Sequence, residues 1–444
     1  MKYTSGDIKR LGGSIVKNKG YVTDPELELL QEYRKSFIEP LTQSFNKLIK
    51  IKNNVSKDGI IAFRLKRIIT IINKVLRNPQ MHLNRMGDIA GIRLIFDTDD
   101  QVYRALTFIK NEFEISGRVR NYIENPKTIG YRGIHIYIKD PIHKKLIEVQ
   151  LRTREYHNWS TLVEITDLLY NTRLKEIGYD NHPEFGEFHR LISSNDELSE
   201  DQANHLYNVL KKYHFIDRLS KTFRRNNSEV KKQWHAASSK SRYFLIESST
   251  EDVPKLTGFV NYDLAEEAYF KAYKNNSESL LVLTAIQKPT FDQISVAYAN
   301  YILSYHTFIR DIEHIIKSLA LEALEQGKTK KFKKIFETYE ELEANSLIHI
   351  FTSKENVFLS RTKNRLILSS FGKISSRKQK LIRREIQKKL RQRQRNHLVF
   401  MNEIRPLIKG YKLKNILCKS FLRKNGKRTM KRLKNIKIEF DYSE

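Results

Sequence analysis

The chain has 444 residues, 81 Lys+Arg against 51 Asp+Glu, a net charge of +30, and a single cysteine, Cys418. This length leaves room for two to three domains, and one cysteine excludes a disulfide framework, just as the lack of any Cys/His cluster at zinc spacing argues against a structural zinc site. The N-terminus has no apolar signal region and no apolar run reaches membrane-spanning length, so the reading is a soluble, cytoplasmic protein without a membrane partner.

The charge is unevenly spread. From 361 to 444 there are 27 Lys+Arg and 5 Asp+Glu, net +22, which leaves +8 for everything before. Such asymmetry suggests a polyanion-binding segment joined to a more ordinary globular part.

In chain order, residues 1–20 are basic and glycine-containing and are expected to be loosely held. Asp24–Pro25–Glu26 resembles a helix start, with an N-cap, a first-position proline and an acidic first turn; the helix is expected to run to about Lys50. A break at Lys57–Asp58–Gly59 leads to a second expected helix, Ile60–Arg77, on which Arg64, Arg67, Thr70 and Lys74 recur at helical spacing. These form either a solvated face or a nucleotide-phosphate face.

The period then changes. Asp88–Phe96 reads as a buried strand with Arg93 inside an apolar run, where a guanidinium needs a partner. A helix from Gln101 to about Asn111 follows. Gly133–Lys139 and Lys145–Leu151 read as two strands around an Asp140–Pro141 turn. Side chains two apart on a strand share a face, so Glu148, Gln150 and Arg152 project together, opposite Ile147, Val149 and Leu151. Taken alone, this is either a site-bearing strand or an amphipathic surface hairpin.

Glu155–Lys175 and parts of 184–224 read as helices. Beyond Arg242, Tyr243–Glu247 and Ser279–Ile286 read as strands, and Leu264–Lys274, Phe291–Leu324 and Thr329–Glu343 as helices. Lys378–Arg395 has helical propensity but little apolar surface to bury. The expected organisation is a domain over 1–225, a small α/β or helical accessory region over 226–352, and a strongly basic segment over 353–444.

Two carboxylates, Asp88 and Glu148, stand on separate strands among Arg64, Lys66, Lys74, Arg93, Lys127, His135 and Arg152. Carboxylates amid cations suit phosphoryl-type transfer, which depends on positioning and charge neutralisation, and they suit magnesium, which prefers oxygen ligands. Gly130–Tyr131 offers an aromatic surface for a base. No Walker A pattern or glycine-rich kinase loop occurs.

Four segments together resemble the RelA/SpoT synthetase family, which makes guanosine tetra- and pentaphosphate alarmones. They are Arg64-x-Lys66-x3-Thr70-x3-Lys74, Asp88-Ile-Ala-Gly-Ile-Arg93, Tyr122-Ile-x2-Pro-Lys127-x2-Gly-Tyr131-x3-His135 and Glu148-Val-Gln150-Leu-Arg152-Thr153. The resemblance is strongest over about 60–165, and its nearest form is the synthetase-only proteins with extra C-terminal sequence. It implies an α+β fold: a mixed five-stranded, nucleotidyltransferase-like sheet flanked by helices, followed here by a C-terminal α/β-helical block and a basic tail.

The family's roles, carried over, are these. Arg64 and Arg93 would sandwich the adenine of ATP. Lys66 and Lys74 would hold its phosphates, with Thr70 assisting. Asp88 and Glu148 would hold Mg2+, and Glu148 would also act as base on the acceptor's ribose 3′-hydroxyl, whose attack on the β-phosphorus transfers pyrophosphate and releases AMP. Tyr131 would stack on the acceptor base, Lys127 and His135 would contact acceptor phosphates, and Gln150 and Arg152 would orient the strand end.

This sequence departs from the family pattern mainly on the acceptor side. Thr70 replaces a serine but keeps the hydroxyl. Asn121, Ile129 and Gly133 stand where an acidic residue, an Asn or Ser, and a Ser are usual. The family implies GDP or GTP as acceptor. The altered loop and basic chain also fit those members that are toxins pyrophosphorylating the tRNA 3′-CCA end. A catalytically inert nucleotide-sensing or RNA-binding module is a third class, which the retention of both Asp88 and Glu148 argues against. No His-Asp dipeptide of the hydrolase half occurs, so no alarmone hydrolysis is expected. Residues 361–444 are a candidate contact for RNA or ribosome, and such binding would be steeply salt-dependent.

Overall fold

The computed structural model describes residues 3–170, 172, 174, 178–193, 198–215, 218, 229–237, 241–248, 252–276, 280–286, 290–298, 301, 308–354, 357–362, 365–371 and scattered positions between 376 and 402. The chain forms two compact units, one of residues 1–193 with 225–306, the other of 194–224 with 307–444.

The first unit is built on eight strands: β1 (Ile60–Leu65), β2 (Ala90–Phe96), β3 (Ile115–Asn121), β4 (Ile134–Lys139), β5 (Leu146–Thr153), β6 (Tyr243–Ser248), β7 (Lys255–Phe259) and β8 (Leu280–Ile286). They form one mixed sheet in the order β3-β4-β5-β2-β1-β8-β6-β7. β2 and β5 run parallel, and the other neighbouring pairs are antiparallel. The five strands expected for the family fold are therefore one flank of a sheet of eight, which residues 243–286 continue beyond β1.

Two other expectations are corrected here. Ile60–Arg77 is not one helix: it is β1 followed by α4 (Ile68–Arg77). β1 is a central strand, paired with β2 on one side and β8 on the other, and it is buried at five of its six positions. A strand buried on both faces shows no period-two alternation, so its apolar run merged with that of the helix after it. Nor are the first residues loose. α1 (Ser5–Lys17) starts with a capping box between Thr4 and Asp7, and Ile8, Leu11 and Ile15 lie along its buried side.

The expected helix from Asp24 to Lys50 is two helices, α2 (Asp24–Lys35) and α3 (Ile38–Val55), with Thr23 rather than Asp24 at the cap. α5 (Asp99–Glu112), α6 (Arg154–Tyr170) and α7 (Pro183–Ser193) follow. α8 (Glu200–Lys212) belongs to the second unit. α9 (Tyr262–Asn275) and α10 (Phe291–Ala297) also belong to the first. The expected helix Phe291–Leu324 is divided into α10 and α11 (Phe308–Glu325).

The sheet's two faces differ in chemistry. Phe63, Leu65, Ile92, Leu94, Val149 and Leu151 face a core shared with α1–α5 and α9, in which each fully buried Ile or Leu contributes roughly 1.5–3 kcal/mol. On the opposite face, Ile60, Ala62 and Ile95 join a smaller core with Phe244, Val282, Trp234 and the α10 residues Phe291 and Ile294. The site lies beside that smaller core.

Under α6, His189 on α7 is fully buried, with Thr166 Oγ1 3.1 Å from Nε2 and Tyr179 Oη 3.0 Å from Nδ1. Burial pushes its pKa down to about 3. The unfolded chain therefore binds a proton at His189 below pH about 6.5 that the folded chain refuses until about 3. Its contribution is whole above the unfolded value and lost at about 1.4 kcal/mol per pH unit as pH falls through that window. Urea denaturation at several pH values should show this slope in the wild type and a shallower one in His189→Gln; equal slopes would contradict it.

In the second unit, α11 packs against α8 and α12 (Thr329–Lys354), and a two-stranded hairpin, β9 (Val357–Thr362) and β10 (Arg365–Phe371), packs against α12. Glu200 of α8 accepts from Gln326 Nε2 at 2.7 Å. The expected helix Lys378–Arg395 and the rest of the basic segment lie largely outside the described residues.

Candidate active site

The strand register assembles the site. Arg64 pairs with Gly91, Gly91 with Glu148 and Glu148 with Tyr137, so these four form one row across β1, β2, β5 and β4. The next row holds Arg93, Gln150, His135 and Arg120, across β2, β5, β4 and β3. Residues paired across strands share a face, as do residues two apart, so Arg152 belongs to this face too. Gly91 leaves the space between Arg64 and Glu148 without a side chain; a Cβ there would meet only the Glu148 carbonyl oxygen, at 3.8 Å.

Asp88 lies just before β2. Its Oδ2 accepts from Lys66 Nζ at 3.0 Å and from Lys74 Nζ at 2.5 Å. Burial raises the Asp88 pKa, but the two lysines outweigh it and hold the carboxyl below its ordinary range. Lys66 sits in the turn after β1, where its backbone N–H donates to Ile89 O at 2.7 Å. Lys74 comes from α4, one turn beyond Thr70. The structure thus brings Lys66, Lys74 and Asp88 together, although Lys66 is not on the helix expected to carry it.

Glu148 is held by a ring of polar side chains. His135 Nδ1 is 3.0 Å from Oε1, and Gln150 Nε2 donates to Oε2 at 2.7 Å. Tyr137 Oη donates to Oε1 at 3.4 Å. Burial raises the Glu148 pKa, but the His135 and Gln150 hydrogen bonds and nearby Lys66 override it, and the carboxyl stays far below its ordinary range. Burial lowers His135 below 6.5. A neutral imidazole donating from Nδ1 to Glu148 can accept at Nε2 from the Tyr131 hydroxyl, 2.5 Å away. Arg152 Nη2 closes the ring, donating to Tyr131 Oη at 2.8 Å and to Gln150 Oε1 at 3.0 Å.

Tyr131 is 7% exposed. Its ring lies edge-on to Tyr122, His135 and Trp159, and Lys127 Nζ stands 5.3 Å from its centroid. The hydroxyl is committed inward, so Tyr131 serves Glu148 through that ring of hydrogen bonds. Tyr122, only partly buried and with Lys127 Nζ 4.8 Å over its ring, is the more open aromatic face.

The departures on this side have local reasons. At Gly133 (φ +143°) a Cβ would stand 3.1 Å from Arg152 Cγ, 3.2 Å from Leu151 O and 3.4 Å from Tyr131 Oη, a close approach and a backbone region that favour glycine. Asn121 Oδ1 accepts from the Ile123 and Glu124 backbone N–H groups at 3.1 and 3.4 Å. The amide thus caps the turn as a carboxylate would.

Three guanidiniums, Arg64, Arg93 and Arg152, crowd the same face. Burial first, then Arg152 and Arg64, lower the Arg93 pKa to about 10. Arg93 Nη1 donates to Ala297 O at 3.3 Å, and Arg64 Nη1 to Tyr301 Oη at 3.5 Å. The Arg67 guanidinium lies 5.9 Å over the Tyr301 ring. The partner that the sequence demands for Arg93 thus includes a backbone carbonyl at the end of α10. Tyr137, Arg120 and Tyr301 escaped the sequence reading. Tyr137 and Arg120 follow from strand period once β3 and β4 are in register; Tyr301 has no signal short of tertiary structure.

Comparison with known proteins bears on this geometry. Residues 63–174 match the model of the region found in RelA/SpoT proteins. The probable GTP diphosphokinase RSH3, chloroplastic, of Oryza sativa subsp. japonica is 30% identical over 138 residues, 28% of this chain and 19% of the relative. The GTP pyrophosphokinase rsh of Brucella melitensis biotype 1 is 31% identical over 135 residues, 30% of this chain and 17% of the relative. The chain therefore spans about a fifth of the length of the curated relatives it matches. Among solved structures, small alarmone synthetase 1 from Bacillus subtilis bound to its product pppGpp aligns at 21% identity and a TM-score of 0.30, over 36% of this chain and 89% of that one. Residues 63–174, the stretch that matches the region found in RelA/SpoT proteins, carry Arg64, Lys66, Lys74, Asp88, Arg93 and Glu148.

Proposed function

We propose that the protein transfers the β,γ-pyrophosphate of ATP to the ribose 3′-hydroxyl of GDP or GTP, as a synthetase alone. The observation that carries this reading is the pair of ionised carboxylates, Asp88 and Glu148, on a face otherwise lined by Lys66, Lys74, Arg64, Arg93 and Arg152. Crowded buried cations repel one another, and a polyphosphate relieves that repulsion. The match to the RelA/SpoT region, and the names of the rice and Brucella relatives, support the same reaction.

In this reading Arg64 and Arg93 take the adenine between guanidinium planes, and Lys66, Lys74 and Thr70 take the donor phosphates. The acceptor's 3′-oxygen attacks the β-phosphorus. The bond from that phosphorus to the α–β bridging oxygen breaks, AMP leaves, and the hydroxyl proton passes to Glu148. Lys127, with Arg120 at the rim, meets acceptor phosphates, and His135, both of whose ring nitrogens are engaged by Glu148 and Tyr131, helps to hold Glu148. Gln150, Arg152 and Tyr131 keep the Glu148 carboxylate in place.

The site's chemistry also fits Mg2+. Asp88 Oδ1 is buried without a hydrogen-bond partner, and a hard cation takes such oxygens readily. Among the described residues, no cluster of three or more His, Cys, Asp or Glu is placed to hold a metal. Asp88 and Glu148 would hold the ion with substrate oxygens, and it would neutralise charge on the polyphosphate.

Tyr301 meets Arg64 and Arg67 on the donor side, and in this reading ATP displaces it. Tyr301→Ala should therefore lower the apparent Kd for ATP, by roughly threefold to tenfold, because the competent state no longer has to be freed first, and leave acceptor affinity unchanged. Titration with a non-hydrolysable ATP analogue reads this; a weakened ATP affinity would count against the displacement.

The tRNA 3′ end is the second acceptor to test, favoured by the departures Asn121, Ile129 and Gly133 and by the basic 361–444 segment. The experiment offers GDP, GTP and tRNA in parallel with γ-labelled ATP. Label in a guanosine product supports the leading reading. Label in tRNA alone rejects GDP and GTP, and label in none, without AMP release, rejects transfer.

A further inference from the structure

A buried polar network links the β1–α4 turn to a helix far outside the RelA/SpoT region. Arg34 of α2 and Glu266 of α9 are 0% and 1% exposed and form an ion pair. Gln31 donates to the same carboxylate oxygen, and Tyr262 Oη donates to the other at 2.5 Å. Arg34 Nε donates to Lys66 O at 2.8 Å, and its guanidinium lies 4.1 Å over the Tyr269 ring. Tyr269 Oη in turn accepts from the Ile68 backbone N–H at 3.1 Å.

That last contact replaces a missing cap. The first N–H groups of a helix have no partner within it. The N-cap of α4 is Arg67, whose side chain makes no capping hydrogen bond and has no acceptor oxygen to offer. The Tyr269 hydroxyl supplies one from another element. Lys66 is thereby gripped on both backbone groups, its N–H by Ile89 O and its carbonyl by Arg34, and its ammonium reaches Asp88. A buried ion pair is weak evidence for added stability, and holding one arrangement is the better-attested use of such groups.

We infer that α9 is a working part of the donor side: Tyr269, and Glu266 through Arg34, are positioning residues that fix the β1–α4 turn and with it Lys66 and Arg67. The consequence for ATP rests on the donor-site reading above; the positioning of the turn does not.

The test is Tyr269→Phe in the full-length protein, which keeps the ring beneath Arg34 and removes only the hydroxyl. Two readouts are taken. Amide hydrogen exchange at Ile68 should speed up by roughly tenfold or more relative to Leu94 in β2. The Kd for a non-hydrolysable ATP analogue should rise about tenfold, with the acceptor Kd within about twofold of wild type. Unchanged exchange at Ile68, or a parallel rise at Leu94, overturns the inference. So does a loss of donor and acceptor affinity in equal measure. Faster exchange confined to the turn, in a protein whose wild type binds no ATP analogue, upholds the positioning and sinks the donor-site reading instead. Glu266→Gln, which strips Arg34 of its countercharge, should repeat the effect; if it fails to fold, Tyr269→Phe still decides.

Discussion

Glu148→Gln is expected to lower turnover by roughly 10²- to 10⁴-fold, the range associated with a positioned general base, while ATP affinity stays within about threefold. The substitution is nearly isosteric and sits in a site that can read the change. Glu148 accepts from His135, Gln150 and Tyr137. An amide at this position still accepts at one atom, but the other becomes a donor facing a side chain that itself donates. The acceptor hydroxyl then finds no anion to take its proton.

Because the effect lies in the transition state, kcat and kcat/KM should fall together. Turnover that survives the change would remove Glu148 from the chemistry. A pH profile sharpens the test. Glu148 is held ionised far below its ordinary range and His135 neutral below 6.5. The wild-type rate should therefore hold on acidification until the pH is below the ordinary histidine range, and then decline as His135 gains its proton.

Asp88→Asn carries the second large effect, an expected fall of roughly 10²- to 10³-fold in kcat/KM, of the size seen when a charge aimed at the reacting group is lost. Lys66 and Lys74 both pair with one oxygen of Asp88, while the other is buried with no hydrogen-bond partner. Neutralising Asp88 frees both ammonium groups and removes an anchor for a divalent cation.

The two losses have opposite signs for binding. ATP without Mg2+ should bind the variant at least as tightly as wild type, since the freed lysines meet its phosphates. The gain in affinity that Mg2+ gives the wild type should shrink or vanish. ATP titrations with and without Mg2+ separate these terms. A variant whose ATP affinity responds to Mg2+ as the wild type does would show that Asp88 holds no metal.

Legibility from sequence followed local geometry. The Glu148–Gln150–Arg152 face was readable because a half-buried strand alternates with period two, and β5 keeps that alternation through Leu151. β2 was readable as an apolar run between turn residues. β1 was not, because it is central and buried on both faces, and Arg64, Arg67, Thr70 and Lys74 happen to fall at helical spacing across a strand–turn–helix junction. β3 was missed for the opposite reason. It is a partly exposed edge strand around Gly117, with no buried position and a register shift between Ser116 and Arg120.

Tyr131 illustrates a further limit. It was legible as a motif position offering a stacking surface to the acceptor base, but its burial beside Glu148 was not. The hydroxyl's partners, His135 and Arg152, lie on β4 and β5, while Tyr131 itself is in the loop before β4. Tyr301 and Glu266 are more than 200 positions from the groups they touch, and no local pattern in either segment points back to Arg64 or Arg34.

The most direct measurement follows the three phosphates of ATP separately. Purified protein is incubated with the acceptor and with ATP labelled at the α, β or γ position in parallel reactions. The β and γ labels should enter the acceptor product in equal amounts, and the α label should appear as AMP. Transfer of the γ label alone, with ADP as the second product, would contradict pyrophosphate transfer, and no labelled acceptor product in any reaction would contradict the catalytic reading of Asp88 and Glu148.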